Sequence, residues 1–266
     1  MKKLVFLVLL TVLFASCSNY QKVLNKGSVS EQYKMAEQLY NDGKYSKALD
    51  LFEKITPKFR GKPQMQRIQY MVAKANYEIK NYETASYYFN RFISNYPKSS
   101  KIEEADFYAT QSYYHKSPRY SLDQKDTRKA MAMLQDFLDK YPNSKLSAKV
   151  NEQYKELSQK LDKKYFEIAK QHYTIEHYTA AITALDNYLA DFIGTRFKEE
   201  ALFYKFKAAY KLALKSVDYK KEKRIRDAQK YFERFNRLYP ESKYIAEAKN
   251  DLEKLEQELS KIKPVN

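Results

Sequence analysis

The sequence predicts an all-α fold built of paired helices, and two observations carry that prediction. Only four glycines occur in 266 residues. Rossmann sheets, phosphate-binding loops and hairpin-rich β folds need glycine where φ is positive or where a ligand approaches the backbone. A nucleotide cradle and a turn-rich β architecture are thereby excluded. The second observation is positive: small and aromatic residues recur at helical spacing in successive stretches, each interrupted by a polar turn. The length suffices for a substantial core.

The amino end reads as a processing signal over residues 1–16. Lys2 and Lys3 precede an uncharged run from Leu4 to Ala15. As a helix, such a run covers about 18 Å, short of the roughly 30 Å hydrocarbon core. It therefore fits a signal-peptide hydrophobic region better than a membrane span. The run ends Leu13-Phe14-Ala15-Ser16-Cys17 and resembles a bacterial lipobox. That resemblance implies cleavage before Cys17 and lipid on the new amino-terminal residue. Cys17 is the one cysteine in the chain, so no intrachain disulfide competes for it. Ser18 stands where an aspartate marks inner-membrane retention in many lipoproteins, so the resemblance points to the outer membrane. Residues 17–29 then read as a lipidated tether, polar and mobile.

The clearest repeat runs from Gln66 to Ser99. Tyr70, Val72, Ala73 and Tyr77 belong to its first helix, Lys80-Asn81 to a turn, and Ala85, Phe89 and Phe92 to one face of its second. Small Ala73 and Ala85 permit close approach, the aromatics fill the space between, and Pro97 ends the unit. This pattern resembles the tetratricopeptide repeat family. An earlier copy has Ala36, Tyr40, Gly43, Ala48 and Phe52. Later copies carry Ala109, Ala130, Phe137 and Pro142, then Ala169, Tyr173, Ala181 and Leu185, then Phe206, Ala228, Phe232, Phe235 and Pro240. The expected fold is an all-α, right-handed tetratricopeptide solenoid of about five repeats, the hand being carried over from the family. Ile245 to Leu259 supplies an amphipathic carboxy-terminal capping helix, and Pro264 follows it. Residues 30–143 hold repeats one to three. Residues 144–266 hold repeats four and five and the cap, and the absence of Gly and Pro from Ser144 to Lys170 suggests a long helix there. Long connections are expected from His115 to Asp126 and from Leu212 to Ile225.

No catalytic constellation emerges. His115 is expected in a turn, and His172 and His177 lack the H-E-x-x-H arrangement and a coordinating cysteine. Glu103-Glu104 and Glu199-Glu200 are adjacent helical positions that do not converge on one atom and suit first turns. Neither an enzyme, a metal site nor a cofactor other than covalent lipid is expected. The densest basic stretch, Lys220 to Arg226, reads as a solvated connector or as a contact for an acidic partner or anionic lipid. Export argues against nucleic acid as its ligand.

In tetratricopeptide repeats, first-helix positions line the concave groove. Carried over, they are Tyr33, Glu37 and Tyr40, then Arg67, Tyr70, Lys74 and Tyr77, then Tyr113 and Tyr114. Tyrosines offer apolar area with an orienting hydroxyl, and Arg67 and Lys74 suit a carboxylate or carbonyl. A helix or extended peptide fits such a groove.

The Cys17 signal, the tether and the ordered Ala36/Ala48, Ala73/Ala85, Ala109/Ala130 and Ala169/Ala181 pairs resemble, over nearly the whole chain, the BamD outer-membrane assembly lipoprotein family. The fifth connection departs from the compact pattern. The resemblance implies a non-enzymatic scaffold, lipid-anchored at the periplasmic face of the outer membrane. It also implies docking to the BamA barrel protein through the carboxy-terminal repeats, handling of unfolded β-barrel substrates by the amino-terminal groove, and contact with other assembly lipoproteins. The alternatives are another envelope repeat adaptor organising cell-wall or transport proteins, and a glycan-binding lipoprotein.

Overall fold

The computed structural model describes residues 19–262, so the signal, Cys17 and Pro264 lie outside the described residues. Among the described residues, a short helical stretch at 19–26 leads into eleven α-helices. α1 (Val29–Asn41) and α2 (Tyr45–Ile55) form the first pair, followed by a 3-10 turn at Thr56–Phe59. α3 (Gln64–Glu78) pairs with α4 (Tyr82–Asn95), and α5 (Ile102–Lys116) with α6 (Lys125–Lys140). α7 (Ser147–Thr174) precedes α8 (Tyr178–Asp191), α9 (Lys198–Leu214) pairs with α10 (Asp218–Leu238), and α11 (Ile245–Ser260) closes the series.

Local chemistry explains the boundaries. Ser28 and Glu31 form a reciprocal capping box at the start of α1. Gly43 takes φ 74° in the first turn, and Lys80 and Glu176 take φ 63° and 62° at the matching place in the second and fourth pairs. A side chain in that left-handed conformation costs on the order of 1 kcal/mol, which the packed helices on either side over-determine. Pro97, Pro142 and Pro240 each follow the last residue of a second helix by two positions. Inside the pairs, Ala73, Ala85, Ala105 and Ala109 are fully buried against Phe89 and Phe92, so helices approach closely and aromatics fill the remaining space.

The chain divides into two compact units. The first comprises the described residues 19–118 and 122–157, the second residues 119–121 and 158–262. Internally they follow one plan. α4 and α8 begin and end 96 residues apart. Buried Ala73, Ala85, Phe89, Ala105 and Phe107 of the first unit match Ala169, Ala181, Leu185, Ala201 and Phe203 of the second. The plan also explains the length of α7. Its first half contributes Val150 and Leu157 to the core made by Phe107, Leu134 and Phe137. In the second unit Ala248 and Leu255 of α11 occupy the same places against Phe203, Phe232 and Phe235. The first half of α7 is thus the cap of one unit, and its second half, with buried Phe166 and Ala169, is the first helix of the next pair.

Three expectations are corrected. His115 lies in the last turn of α5, and only Ser117 to Gln124 connects α5 to α6. Between α9 and α10 only Lys215 to Val217 intervene, so the basic stretch is helical. The described part of the tether is also folded. Tyr20 is buried in the cluster of α1 and α2, because one large aromatic with a hydroxyl partner suffices to dock a short helix.

Candidate functional site

The first helices of the first unit bring most of the expected groove residues together. Tyr40, Arg67 and Tyr70 line a hollow of about 390 Å³ with Gln66, Phe92 and Lys101. Tyr70 rests edge-on against Phe92 at 5.5 Å and Phe89 at 6.1 Å, with Lys101 Nζ 5.6 Å from its ring centre. Its hydroxyl is buried and faces the carboxylate of Glu104. Burial, and then the nearby carboxylate of Glu104, push its ionisation far above the usual phenol range. Tyr40 sits edge-on to Tyr45 at 5.4 Å, and burial raises its ionisation likewise.

One helical turn along, Lys74 lies 4.1 Å from the ring of Tyr108 and 5.4 Å from that of Tyr77 while pairing with Glu78. Burial opposes its charge, but Glu78 and Tyr108 outweigh that and raise its pKa. The Tyr77 hydroxyl lies 3.2 Å from His115 Nε2, and His115 stacks on Tyr82 at 4.7 Å. Burial pushes the Tyr77 hydroxyl up to about 12. At the other end, Tyr33 donates to Glu37 at 2.8 Å, and Glu37 also accepts from Arg67 Nε at 2.8 Å. Arg67 and Lys74 are therefore already paired with carboxylates of their own chain. An incoming acidic group exchanges with Glu37 or Glu78 rather than meeting an unpaired cation.

Tyr113 and Tyr114 do not continue this surface. Tyr113 lies beneath Lys116 and Lys129, at 5.2 and 5.8 Å, and borders a separate hollow along Glu83, Tyr87 and Arg91 of α4. Tyr114 donates to Glu156 of α7. Tyr108, Glu104 and Lys101, which the first-helix carry-over omitted, belong to it. A signal for them exists, since Glu-Glu-Ala-x-Phe-Tyr occurs at residues 103–108 and again at 199–204.

The second unit repeats the ladder but fills the hollow. Lys170 lies 4.6 Å from Tyr204, as Lys74 lies beside Tyr108, but it pairs across helices with Glu200 at 2.8 Å where Lys74 pairs with Glu78 on its own helix. Phe166 replaces Tyr70, and Phe197, in place of Lys101, stacks on it at 4.8 Å. The open aromatic hollow is therefore built into the first copy of this plan.

The basic helix is locally compensated. Lys221 pairs with Glu258 of α11, Lys223 with Asp227 at 2.9 Å, and Arg226 with Glu222 at 2.8 Å. Lys221 and then Lys261 hold the Glu258 carboxyl down to about 2. His177 stands at the N-cap position of α8 without a side-chain capping bond, and the Nδ1 atom of His172 is buried without a partner.

Residues 25–224 match the family described as YfiO, outer membrane lipoprotein. The chain belongs to the BamD/YfiO lipoprotein family. A BamD-type outer membrane protein assembly factor of Aquifex aeolicus is 30% identical over 226 residues, which cover 82% of this chain and 71% of that one. The BamD assembly factor of Neisseria meningitidis is 24% identical over 234 residues, covering 82% and 86%. That of Helicobacter pylori is 30% identical over 74 residues, covering 28% and 34%. BamD/YfiO proteins are non-catalytic lipoproteins with tetratricopeptide-like repeats, and lipid is the one covalent group the family implies. The match begins in the helical stretch before α1 and ends in α10, so the aromatic groove lies wholly inside it. Among the described residues no helix is long and apolar enough to cross a membrane.

Proposed function

We propose that this chain is a lipid-anchored scaffold at the periplasmic face of the outer membrane. It docks a BamA-like barrel protein through its second unit and holds segments of unfolded β-barrel proteins in the aromatic groove of its first. The observation that carries the reading is the BamD/YfiO match, which spans the groove and most of both units. The groove chemistry supports it. Tyr40, Tyr70, Tyr77 and Tyr108 offer apolar area, and the lysines between them orient a chain through carbonyls and carboxylates. Lipid confines the search to the membrane plane, and a repeat array offers two partners separate surfaces of one chain without any bond being made. Other assembly lipoproteins are further candidates for the same complex.

Two experiments test this reading. Affinity capture after mild membrane extraction recovers a large outer-membrane protein with periplasmic modules. Recovery of cell-wall enzymes or transport components in its place supports the adaptor alternative. Photocrosslinkers at Tyr70 and Tyr77 capture unfolded barrel proteins, whereas crosslinks confined to neighbouring helices of the chain would assign those tyrosines to packing alone.

A further inference from the structure

The segment between the lipid-bearing cysteine and the first repeat is gripped by the first unit. Tyr20 is 7% exposed, packs in the cluster that holds Ala36 and Ala48, and donates its hydroxyl to Asp50 Oδ2 at 2.7 Å. Two side chains hold the following backbone. Gln32 Nε2 donates to the carbonyls of Val23 and Leu24 at 3.2 and 3.1 Å, and Lys54 Nζ donates to that of Leu24 at 2.7 Å. Gln32 is itself buried. These contacts make residues 20–24 part of the unit rather than a spacer from it.

Tyr20 follows Cys17 by three positions, and three extended residues span at most about 10 Å. A free twelve-residue spacer would reach about 40 Å extended and about 19 Å on average. The lipid therefore holds one chosen face of the first unit at about one Debye length from the headgroups. That face is basic. Lys22 and Lys26 on the 19–26 helix and Lys47 and Lys54 on α2 are all exposed. Asp50, bonded to Tyr20, and Glu31, bonded to the backbone and hydroxyl of Ser28, keep their charges, so four ammonium groups on this face stand against two carboxylates. Glu53, on the adjoining side of α2, lines a separate hollow with Arg91.

We propose that the face carrying Lys22, Lys26, Lys47 and Lys54 docks on anionic phospholipid headgroups, with Tyr20 as the pin that presents it. The inference rests on lipidation at Cys17 and requires no protein partner. A second attachment besides acyl chains is what a basic face supplies, and it sets orientation where acyl chains alone set only proximity. The groove of Tyr40 and Tyr70, being in the same unit, is then carried at a set height above the bilayer.

The test uses the full lipidated chain, in which an introduced cysteine is the one free thiol. A fluorophore at Ser46→Cys, beside Lys47 on α2, reports the face, and one at Lys249→Cys reports the second unit. Vesicles contain phosphatidylcholine with or without phosphatidylglycerol, and both carry a headgroup quencher. Quenching at position 46 is expected to exceed that in neutral vesicles about threefold and to fall with salt. It is expected to drop towards the neutral-vesicle level in the K22E/K26E/K47E variant, which leaves Tyr20 and the Lys54 bond to Leu24 in place. Tyr20→Ala is expected to lower it as well, while circular dichroism stays unchanged. Quenching that ignores vesicle charge and these three lysines overturns the docking face, and quenching retained in Tyr20→Ala overturns the pin. Failure of the chain to float with vesicles of either kind overturns the anchor beneath both, a result distinct from loss of partner capture.

Discussion

The Ser242 hydroxyl donates to Glu199 Oε1 at 2.6 Å, tying the loop after α10 back to the first turn of α9. The same oxygen accepts the backbone N–H of Tyr244 at 3.1 Å. Ser144 makes the equivalent pair with Glu103 at 2.6 Å and Leu146, and Thr195 with Asp162 at 2.9 Å and Phe197. In the second pair Gln66 donates to Ser99 at 2.7 Å. In four of the five pairs one hydroxyl thus satisfies a loop N–H and fastens the end of the second helix to the first helix. The first-turn acids at 103 and 199, expected to serve the helix dipole, are also halves of these clasps.

Removing a clasp is expected to loosen its pair. Ser242→Ala should cost about 1 kcal/mol, because Glu199 regains water once its partner is gone. Thr195→Ala should cost more, about 2 kcal/mol, because Asp162 is 9% exposed and keeps only Tyr188 as a donor. Urea midpoints of the two variants check the order, and equal midpoints would contradict it.

Lys207 of α9 is buried between Asp251 and Glu247 of α11. Asp251→Ala leaves the buried ammonium with Glu247 as its remaining carboxylate and should cost about 2 kcal/mol. The corresponding place in the first unit is a reciprocal amide pair, Gln111 and Gln153, at 2.7 and 2.8 Å. The double variant K207Q/D251Q should therefore recover to within about 1 kcal/mol of the parent. Burial opposes the Lys207 charge, but Asp251 and then Glu247 outweigh it, so its pKa is raised from the ordinary 10.5. A raised lysine contributes stability fully below 10.5, and that contribution is lost as pH climbs through the higher folded value. Alkaline denaturation should thus begin sooner in the parent than in the double variant.

The groove can be closed by a substitution the chain already uses elsewhere. Lys101→Phe copies the Phe197 ring that stacks on Phe166, and should fill the hollow beside Tyr70 without loss of stability. Crosslinking of unfolded barrel segments should fall at least about tenfold, equivalent to about 1.4 kcal/mol of lost binding. Unchanged crosslinking would place the binding surface elsewhere. Tyr70→Phe, which removes a buried hydroxyl beside Glu104 and leaves the ring contacts intact, should change stability by less than about 1 kcal/mol, as urea midpoints would show.

His115 should titrate below its ordinary 6.5, because burial, and then the charge of Lys149, disfavour the cation. A histidine with a depressed folded value binds fewer protons than its unfolded form, so this site costs stability as pH falls below 6.5. Ring resonances followed by NMR give the midpoint. Lys149→Ala should move it upward, and an unmoved midpoint would rule that lysine out.

Helix pairing was legible because Ala73 with Ala85 and Phe89 with Phe92 obey the helical period that close packing demands. The turn at Lys80 was legible by position, not by residue type, and the one at Glu176 was not named in advance; in both, φ is imposed by the helices around them. The start of α10 was missed because Asp218 to Arg226 is almost wholly polar before Ile225. Charge pairs four apart, Glu222 with Arg226 and Lys223 with Asp227, support that turn without an apolar stripe. Tyr20 gave no periodic signal, being a single anchor contributed by a short stretch. Part of the groove was legible from first-helix positions. Tyr113 and Tyr114 fell outside because their neighbours are Lys116, Lys129 and Glu156, contacts that first-helix spacing does not encode.

The two sockets that receive the first half of α7 and α11 have nearly the same apolar shape but different polar centres. A chain whose halves follow one plan risks seating each helix in the other's socket during folding. With Gln153 opposite Lys207, a buried ammonium would lose its carboxylate; with Asp251 opposite Gln111, a carboxylate would lose its cation. Each wrong assignment separates a buried charge from its native partner, with only Lys254 left beside Asp251, so one pair of side chains in each half favours the native seating of its helix.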